Sequence, residues 1–224
     1  MKRIKTSNLI IILIFLLIIS YLTFVALYGY LAIKNYHQQN SKELNTHTFD
    51  NLISLPKFNT IVINGHKSIL IKNDSSNSIS FSSNADFEIK NDTLWLKNSA
   101  IVSTANLKTL ITHEDPRIRL KNFNQSKLNI YAKDNASISI DDSKISFVNA
   151  NFEDKSDFSI KNSQIQSIKL TLKDKAHASL LIPIDTLAGY TEKKTKLILN
   201  KVNFKNIDIN GYVSEIGNGF YFKF

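Results

Sequence analysis

The sequence of 224 residues contains no cysteine. This absence excludes a disulfide framework, a thiolate metal site, a cysteine nucleophile and a lipidated cysteine of the bacterial lipoprotein kind. Glycine is also scarce, with six residues in the whole chain. None of them lies in a G-x-G-x-x-G, P-loop or G-x-S-x-G arrangement, so the sequence gives no support for nucleotide chemistry or for a hydrolase nucleophile elbow.

Histidine is present but lacks the spacing of metal ligands. The five residues are His37, His47, His66, His113 and His177. The sequence HEDP at residues 113–116 favours a polar turn before proline, because adjacent residues of a strand point in different directions. We therefore assign no catalytic, cofactor-binding or metal-ligating residue, and we expect no cofactor.

The net charge of +9 is concentrated in part at the N-terminus, where Lys2, Arg3 and Lys5 precede an apolar run. The remaining 25 basic and 19 acidic residues leave +6, spread evenly along the chain. This distribution indicates a solvated surface, with anionic glycans or membrane headgroups as the less favoured partner. A nucleic-acid partner is not expected, because the charge is diffuse and no recognition motif is present.

Residues 9–33 form an uncharged run, LIIILIFLLIISYLTFVALYGYLAI. As a helix it would span ~37 Å, which exceeds the ~30 Å hydrocarbon core of a bilayer. The run is too long for a signal-peptide core and lacks a small-x-small cleavage site, so it predicts an uncleaved signal anchor.

The basic residues before the anchor place the N-terminus in the cytoplasm. We expect a cytoplasmic stub at 1–8, a transmembrane anchor at 9–33 in the inner membrane, and an exported domain at 52–224. Residues 34–51 are polar and lack alternation, which predicts a tether between the anchor and that domain.

Alternating apolar and polar residues follow the tether and predict short, half-buried strands. The clearest runs are FNTIVING at 58–65, SILIK at 68–72, SISFS at 78–82 and TLWLK at 93–97. Nothing after the anchor has the pattern of a helix, so the exported domain is expected to be all-β.

An internal repeat of 20 residues defines the second half of the chain. KDNASISI at 133–140 aligns with EDKSDFSI at 153–160 and with KDKAHASL at 173–180. A constant period of this length is typical of a parallel β-helix or related β-solenoid, whereas an antiparallel sandwich would share the alternation but not the period. At ~20 residues a coil, residues 52–224 would give at most about eight or nine coils. The first half fits the period poorly, and the sequence leaves open whether it follows the solenoid or caps it with antiparallel strands.

The repeat stacks Asp134, Asp154 and Asp174 on one another. Strands in a sheet lie ~4.8 Å apart, and like charges repel at that distance. Lysines stand beside these aspartates in the sequence, so a wet ladder of turn residues is favoured over a cation site.

The run FNTIVINGHKSILIKND, followed by NDTLWLKNS and by the repeated strand units, resembles the auto-transporter adhesin, head GIN domain family, common in Bacteroidota. The resemblance covers residues 57–187. Family members usually carry a serine-glycine pair at the start of each repeated strand, which this chain lacks, so it resembles a divergent member. The resemblance implies an extracytoplasmic β-solenoid with no assigned activity, and no functional residue is carried over from it.

Three functions are compatible with these features. The favoured one is a non-catalytic, adhesin-like binding or structural module of the cell envelope, whose partner is a protein or a glycan. The alternative is an envelope polysaccharide-active enzyme, since parallel β-helix enzymes use carboxylates, calcium and basic residues on one face. Its candidate residues are Asp141, Asp142 and Asp154 with Arg117 and Arg119. A membrane regulator acting through the anchor is the third, although the stub is too short to hold a domain.

Two smaller patterns remain. The C-terminal sequence GFYFKF at 219–224 favours a strand that closes the solenoid rather than an outer-membrane barrel signal. The tripeptides at 92–94 and 185–187, both Asp-Thr-Leu, resemble short O-glycosylation sites of Bacteroidota.

Overall fold

The structure is a computed structural model, and it describes Tyr21, Thr23 and residues 51–81, 86–200, 204–212 and 215–217. The chain divides into two compact units, Met1–Thr48 and Phe49–Phe224. In the first unit the two described residues, Tyr21 and Thr23, are α-helical. The predicted stub, anchor and tether otherwise lie outside the described residues, except for Asn51. Within the described ranges, no helix is long and apolar enough to cross a membrane.

The described part of the second unit is built from nineteen β-strands, which confirms the all-β prediction. They are β1 Asn51–Ser54, β2 Thr60–Asn64, β3 Ser68–Asn73, β4 Ser78–Phe81, β5 Phe87–Lys90, β6 Thr93–Leu96, β7 Ala100–Thr104, β8 Thr109–His113, β9 Arg117–Lys121, β10 Asn124–Ala132, β11 Ser137–Asp141, β12 Lys144–Phe152, β13 Asp157–Lys161, β14 Gln164–Leu172, β15 His177–Leu180, β16 Ile184–Thr191, β17 Lys196–Asn200, β18 Asn206–Gly211 and β19 Glu215–Gly217.

The strands form two sheets, and successive strands of the repeat alternate between them. A ten-stranded sheet has the order β1-β4-β7-β3-β9-β11-β13-β15-β17-β19. A nine-stranded sheet has the order β18-β16-β14-β12-β10-β8-β2-β6-β5. Each coil therefore contributes one strand to each sheet, which is the architecture of a β-solenoid.

The 20-residue repeat is confirmed by the strand register. In the ten-stranded sheet, Ile140 pairs with Ile160 and Ile160 with Leu180 in parallel ladders. From Thr109 to Gly211 the chain makes about five such turns. The step from β17 to β19 is three residues shorter, since Ile198 pairs with Glu215. The step from β15 to β17 is one residue shorter, since His177 pairs with Lys196. The shortening falls in the turn between β15 and β16, at residues 181–183.

Each long strand of the nine-stranded sheet bends once. In β12 the buried residues are Ile145, Val148, Ala150 and Phe152, so their spacing changes from three residues to two. Side chains of a regular strand alternate strictly between its faces. The three-residue step therefore marks a corner at residues 146–147, and it lets one strand line two sides of the core.

Antiparallel strand pairs cap the solenoid in the first half of the domain. Strand β1 pairs antiparallel with β4, β4 with β7, and β5 with β6. Covering the end of a solenoid in this way protects its unpaired backbone groups from other chains.

The coils of the first half are also stacked out of chain order. Strand β2 lies between β6 and β8, and β3 lies between β7 and β9, in parallel ladders. The chain thus builds the β2–β3 coil, adds the β6–β7 coil on one side of it, and returns to the other side with β8. The 20-residue period fails here because successive segments do not stack on each other.

The core runs between the two sheets as one continuous apolar cluster. Its residues occupy the inward positions of successive coils, and phenylalanines fill the turn side. The rings of Phe152 and Phe158 stack with centroids 4.8 Å apart, and both are fully buried. Complete burial of such a side chain contributes about 1.5–3 kcal/mol, so the core dominates the stability of the coils.

Candidate functional site

The aspartate ladder predicted at residues 134, 154 and 174 lies in the turns after the long strands. Asp134, Asp154 and Asp174 all have left-handed backbones, with φ of 55°, 60° and 58°. The backbone N–H of Asp134 donates to Asp154 Oδ2 at 3.4 Å, and that of Asp174 donates to Glu192 Oε2 at 2.8 Å. Aspartate suits these turns for two reasons: it tolerates a left-handed backbone, and its carboxylate accepts backbone hydrogen bonds. These contacts are structural, as the turn-ladder prediction requires.

A ladder of alternating charge stands beside the aspartates. Glu153 Oε2 lies 2.7 Å from Lys133 Nζ, and its Oε1 lies 3.1 Å from Lys173 Nζ. The hydrogen bond from Lys133, then that from Lys173, lowers the pKa of Glu153 below its ordinary value. The hydrogen bond between Lys133 and Glu153, together with the negative charge of Glu153, raises the pKa of Lys133 above its ordinary value. Opposite charges on successive coils therefore hold the turns in register.

The residues considered for a carbohydrate-active enzyme do not converge. Arg119 Nε lies 3.0 Å from Asp141 Oδ2 on the outer surface of the ten-stranded sheet. Asp142 lies in the following turn, with its Oδ2 3.5 Å from Lys121 Nζ, whereas Asp154 lies in the turns after the long strands. Arg117 shares the outer face with Arg119, as the two-residue spacing predicts. The guanidinium of Arg119 forms an ion pair with the carboxylate of Asp141 on a flat surface. These residues therefore do not form a pair placed for general acid–base catalysis.

Residues 114–116 link β8, which ends at His113, to β9, and the chain bends at Glu114 and Asp115, in agreement with a polar turn before Pro116. Glu114 has a φ of 68°, and Asp115 follows it. Asp115 Oδ1 accepts a hydrogen bond from Asn135 Nδ2 at 2.7 Å, and its Oδ2 lies 2.9 Å from His66 Nδ1. Within the described residues, no group of three or more His, Asp or Glu side chains is placed to hold a metal ion.

The structure adds a shallow hollow that the sequence did not indicate. Its volume is about 370 Å³, and its lining includes Lys144, Gln164, Gln166, Pro183 and Asp185. It opens at the corner next to the shortened turn before β16. Asp185 is held there by Lys205, whose Nζ lies 3.1 Å from its Oδ1. The hollow is open to solvent, and its accessible lining is more apolar than polar.

A column of exposed aromatic residues crosses the outer face of the nine-stranded sheet. Trp95, Tyr131 and Tyr190 are 40%, 42% and 45% exposed. Register places them in one row of cross-strand neighbours, which reads Trp95, Val62, Ile111, Tyr131, Asn151, Thr171 and Tyr190. We call this row the aromatic column. Of the four exposed aromatic residues in the described part of the second unit, three belong to it; Tyr212 is the fourth.

Neutral polar residues flank the aromatic column over its first five strands. They form a second row two positions earlier on each strand, which reads Thr93, Thr60, Thr109, Asn129 and Asn149. All five are partly exposed. The amide of Asn129 donates to the carbonyl of Lys108 at 3.2 Å, which fixes its orientation. Hydroxyl and amide groups thus line the column on this side.

Sequence reasoning missed the aromatic column. Alternation identifies Trp95 in TLWLK and Tyr131 in β10 as outward residues, but it does not show which outward residues share a row. Tyr131 and Tyr190 are 59 positions apart, one fewer than three full periods, because of the shortened turn. Trp95 joins them only through the out-of-order stacking of β6 on β2.

The two tripeptides considered for O-glycosylation differ in setting. Asp92 has a left-handed backbone in the turn before β6, and Thr93 is the first residue of that strand. Thr186 lies within β16, paired with Ser167 and Asn206 on either side. Glycosylation at either threonine stays a prediction. The C-terminal GFYFKF sequence lies outside the described residues.

Comparison with known proteins shows likeness at the level of fold. No family model matches the chain, and no curated protein sequence matches it. A crystal structure of a "putative adhesin" from Bacteroides fragilis matches with a TM-score of 0.53 and 10% identity, over 75% of this chain and 97% of that one. A "putative lipid binding protein" from Parabacteroides distasonis matches with a TM-score of 0.51 and 12% identity, over 75% and 94%. At such identities the likeness establishes the β-solenoid fold and leaves the head GIN assignment a prediction.

Proposed function

We propose that this chain is a non-catalytic, adhesin-like binding module of the cell envelope and that it binds its partner through the aromatic column. One observation carries the proposal. Three aromatic side chains, each at least 40% exposed, stand in one row on a sheet whose inward residues already form a complete core. Exposed aromatic rings aligned on one face indicate an interaction surface more strongly than rings scattered singly do.

The structure favours a binding role in two further ways. A solenoid sheet is a preformed surface, so a ligand pays little to order it. The candidate acid and base residues are dispersed over separate turns and faces. Two solved structures of the same fold are described as a "putative adhesin" and a "putative lipid binding protein", and this agrees with a binding module of the head GIN type.

The proposal includes the N-terminal anchor. Residues 9–33 would hold the chain in the inner membrane, with 1–8 in the cytoplasm and the solenoid on the far side. Protease added to spheroplasts should then digest a C-terminal epitope and leave an N-terminal epitope intact. Digestion of both epitopes, or of neither, would contradict this topology.

The chain contains a single tryptophan, and that residue is part of the aromatic column. Full-length protein labelled with 5-fluorotryptophan and solubilised in detergent therefore gives one ¹⁹F resonance from the proposed site. We expect solubilised envelope extract to shift or broaden that resonance. The response should disappear in the Tyr131→Ala/Tyr190→Ala variant and persist in Ser159→Ala, on the outer surface of the other sheet. A resonance unchanged by the extract, or changed equally in all three proteins, would refute binding through this face.

A further inference from the structure

The three rings of the aromatic column are evenly spaced along the solenoid. Three strand steps separate Trp95 from Tyr131, and three more separate Tyr131 from Tyr190. At ~4.8 Å a step, each interval is ~14 Å and the whole column is ~29 Å long. Equal intervals along a straight row suit a ligand that itself repeats along its length.

The column is uncharged from end to end. Between the rings lie Val62 and Ile111 in the first interval, and Asn151 and Thr171 in the second. The flanking row carries only hydroxyl and amide groups from Thr93 to Asn149 and continues with Lys169, beside Thr171. On the other side of the column, two positions later on each strand, lie Lys133, Glu153 and Lys173, whose charges are already paired with one another. A charged ligand would lose hydration here and would have to displace these ion pairs to gain an opposite charge.

The backbone of this face is already fully used in sheet pairing. Strands β2, β8, β10, β12, β14 and β16 each have a hydrogen-bonded neighbour on both sides. An extended peptide therefore cannot add a strand to this surface, which is the usual way that sheets bind peptides. A lipid tail would require an enclosed apolar pocket, whereas Asn151 and Thr171 interrupt the apolar row.

Sugar rings match the surface chemistry of the column, which combines aromatic rings with hydroxyl and amide groups. A pyranose has an apolar C–H face that packs on an aromatic ring and hydroxyl groups at its rim that bond with amides and hydroxyls. From this geometry we infer that the aromatic column is a binding track for an uncharged polysaccharide, whose chain runs along the solenoid axis and contacts all three rings. The inference rests on the proposed function and specifies the class of its partner.

Affinity electrophoresis of the full-length, detergent-solubilised protein tests this inference. Native gels contain dextran, mannan, galactan or xylan as neutral probes, alginate as an anionic probe, or no polymer. We expect retardation by at least one neutral polymer and none by alginate. Retardation should persist at about 0.5 M NaCl, where electrostatic attraction is largely screened.

Variants show whether a single polysaccharide chain occupies the whole aromatic column. Tyr131→Ala and Tyr190→Ala should each raise the Kd for the retarding polymer about tenfold, the loss expected for one aromatic contact. Their effects should multiply to about a hundredfold in the double variant, since sites this far apart act independently. Ser159→Ala, on the other sheet, should leave the Kd unchanged. An effect from only one tyrosine would contradict a continuous track.

The outcomes separate this inference from the proposed function. If no neutral polymer retards the protein while envelope extract still changes the Trp95 resonance, the polysaccharide inference is wrong and the binding face stands. Binding to phosphatidylcholine vesicles or to alginate through the tyrosines would likewise replace the neutral glycan with another ligand class. If neither polymer nor extract reaches Trp95, both proposals fail.

Discussion

Gly189 offers the sharpest test of how the coils stack. It occupies an inward position of β16, between Leu170 of β14 and Ile209 of β18. Its φ of +146° is one that L side chains rarely adopt. A Cβ added there would lie on the carbonyl oxygen of Leu170 and only 2.7 Å from its carbon. Alanine therefore fits only if one of the two strands moves.

The expected cost of Gly189→Ala is about 3–5 kcal/mol in the free energy of unfolding of the C-terminal coils. An unfavourable φ costs about 1–3 kcal/mol, and displacing β16 from β14 adds the loss of packing and ladder hydrogen bonds. Gly65→Ala is the matched control. Gly65 also has a positive φ, of +95°, but its added Cβ would meet only the far ends of two flexible side chains, Glu114 Oε2 at 3.3 Å and Lys67 Cε at 3.7 Å.

Amide hydrogen exchange of the full chain measures how much stability each variant loses and shows which strands lose it. Coils of a solenoid couple mainly to their neighbours, so Gly189→Ala should speed exchange in β16–β18 while β10–β12 stay protected. A loss of about 3 kcal/mol corresponds to exchange more than a hundredfold faster. Gly65→Ala should leave β16–β18 unchanged. Equal protection of β16 in the two variants would refute the argument that strand spacing requires glycine at 189.

Three further predictions concern the turns and the core, and all are measured by urea unfolding. Phe152→Ala should cost about 3–5 kcal/mol, because it empties a fully buried site stacked on Phe158. Ser143→Ala should cost about 1–3 kcal/mol, because the buried Ser143 Oγ accepts the N–H of Phe123 at 3.0 Å; exposed Ser146→Ala is the control and should be neutral. Glu153→Gln should cost about 1 kcal/mol at neutral pH and nothing in acid.

The sign of the last prediction follows from linkage. The folded pKa of Glu153 is lower than its ordinary value of 4.5. Its contribution to stability is therefore present above that ordinary value and is lost as the pH falls through the folded pKa. Wild type and Glu153→Gln should thus differ most at neutral pH and converge below pH 4.5. A difference that stays constant on acidification would show that the charge of Glu153 is not involved.

The sequence predicted the solenoid because its evidence is repeated on every coil. Positions 138, 158 and 178 are buried in turn, as are 140, 160 and 180, and a chance pattern does not return with a constant period. The turn aspartates at 134, 154 and 174 are equally periodic, since each coil needs a residue that tolerates a left-handed backbone at that point. A structural requirement that recurs on every coil can therefore be recognised from the sequence alone.

The order of the first coils could not be predicted in the same way. The strand TLWLK at 93–97 alternates as clearly as any other, yet its place beside β2 depends on where the chain turns back. Both stacking orders bury the same apolar residues, so alternation does not distinguish them. The failure of the 20-residue period there shows only that the chain departs from regular stacking, and it leaves the choice between further coils and an antiparallel cap open.

The division of the sheet residues into inward and outward positions also bears on function. Inward residues are explained by the core, and the turn residues by the Asp, Ser and Lys/Glu contacts that join successive coils. Trp95, Tyr131 and Tyr190 take part in neither task, because their rings stand on the solvent side of a sheet that is already paired. Three exposed rings raise the risk of non-specific association without stabilising the fold. Their place in a single row, at equal intervals, is the observation on which the proposed binding track rests.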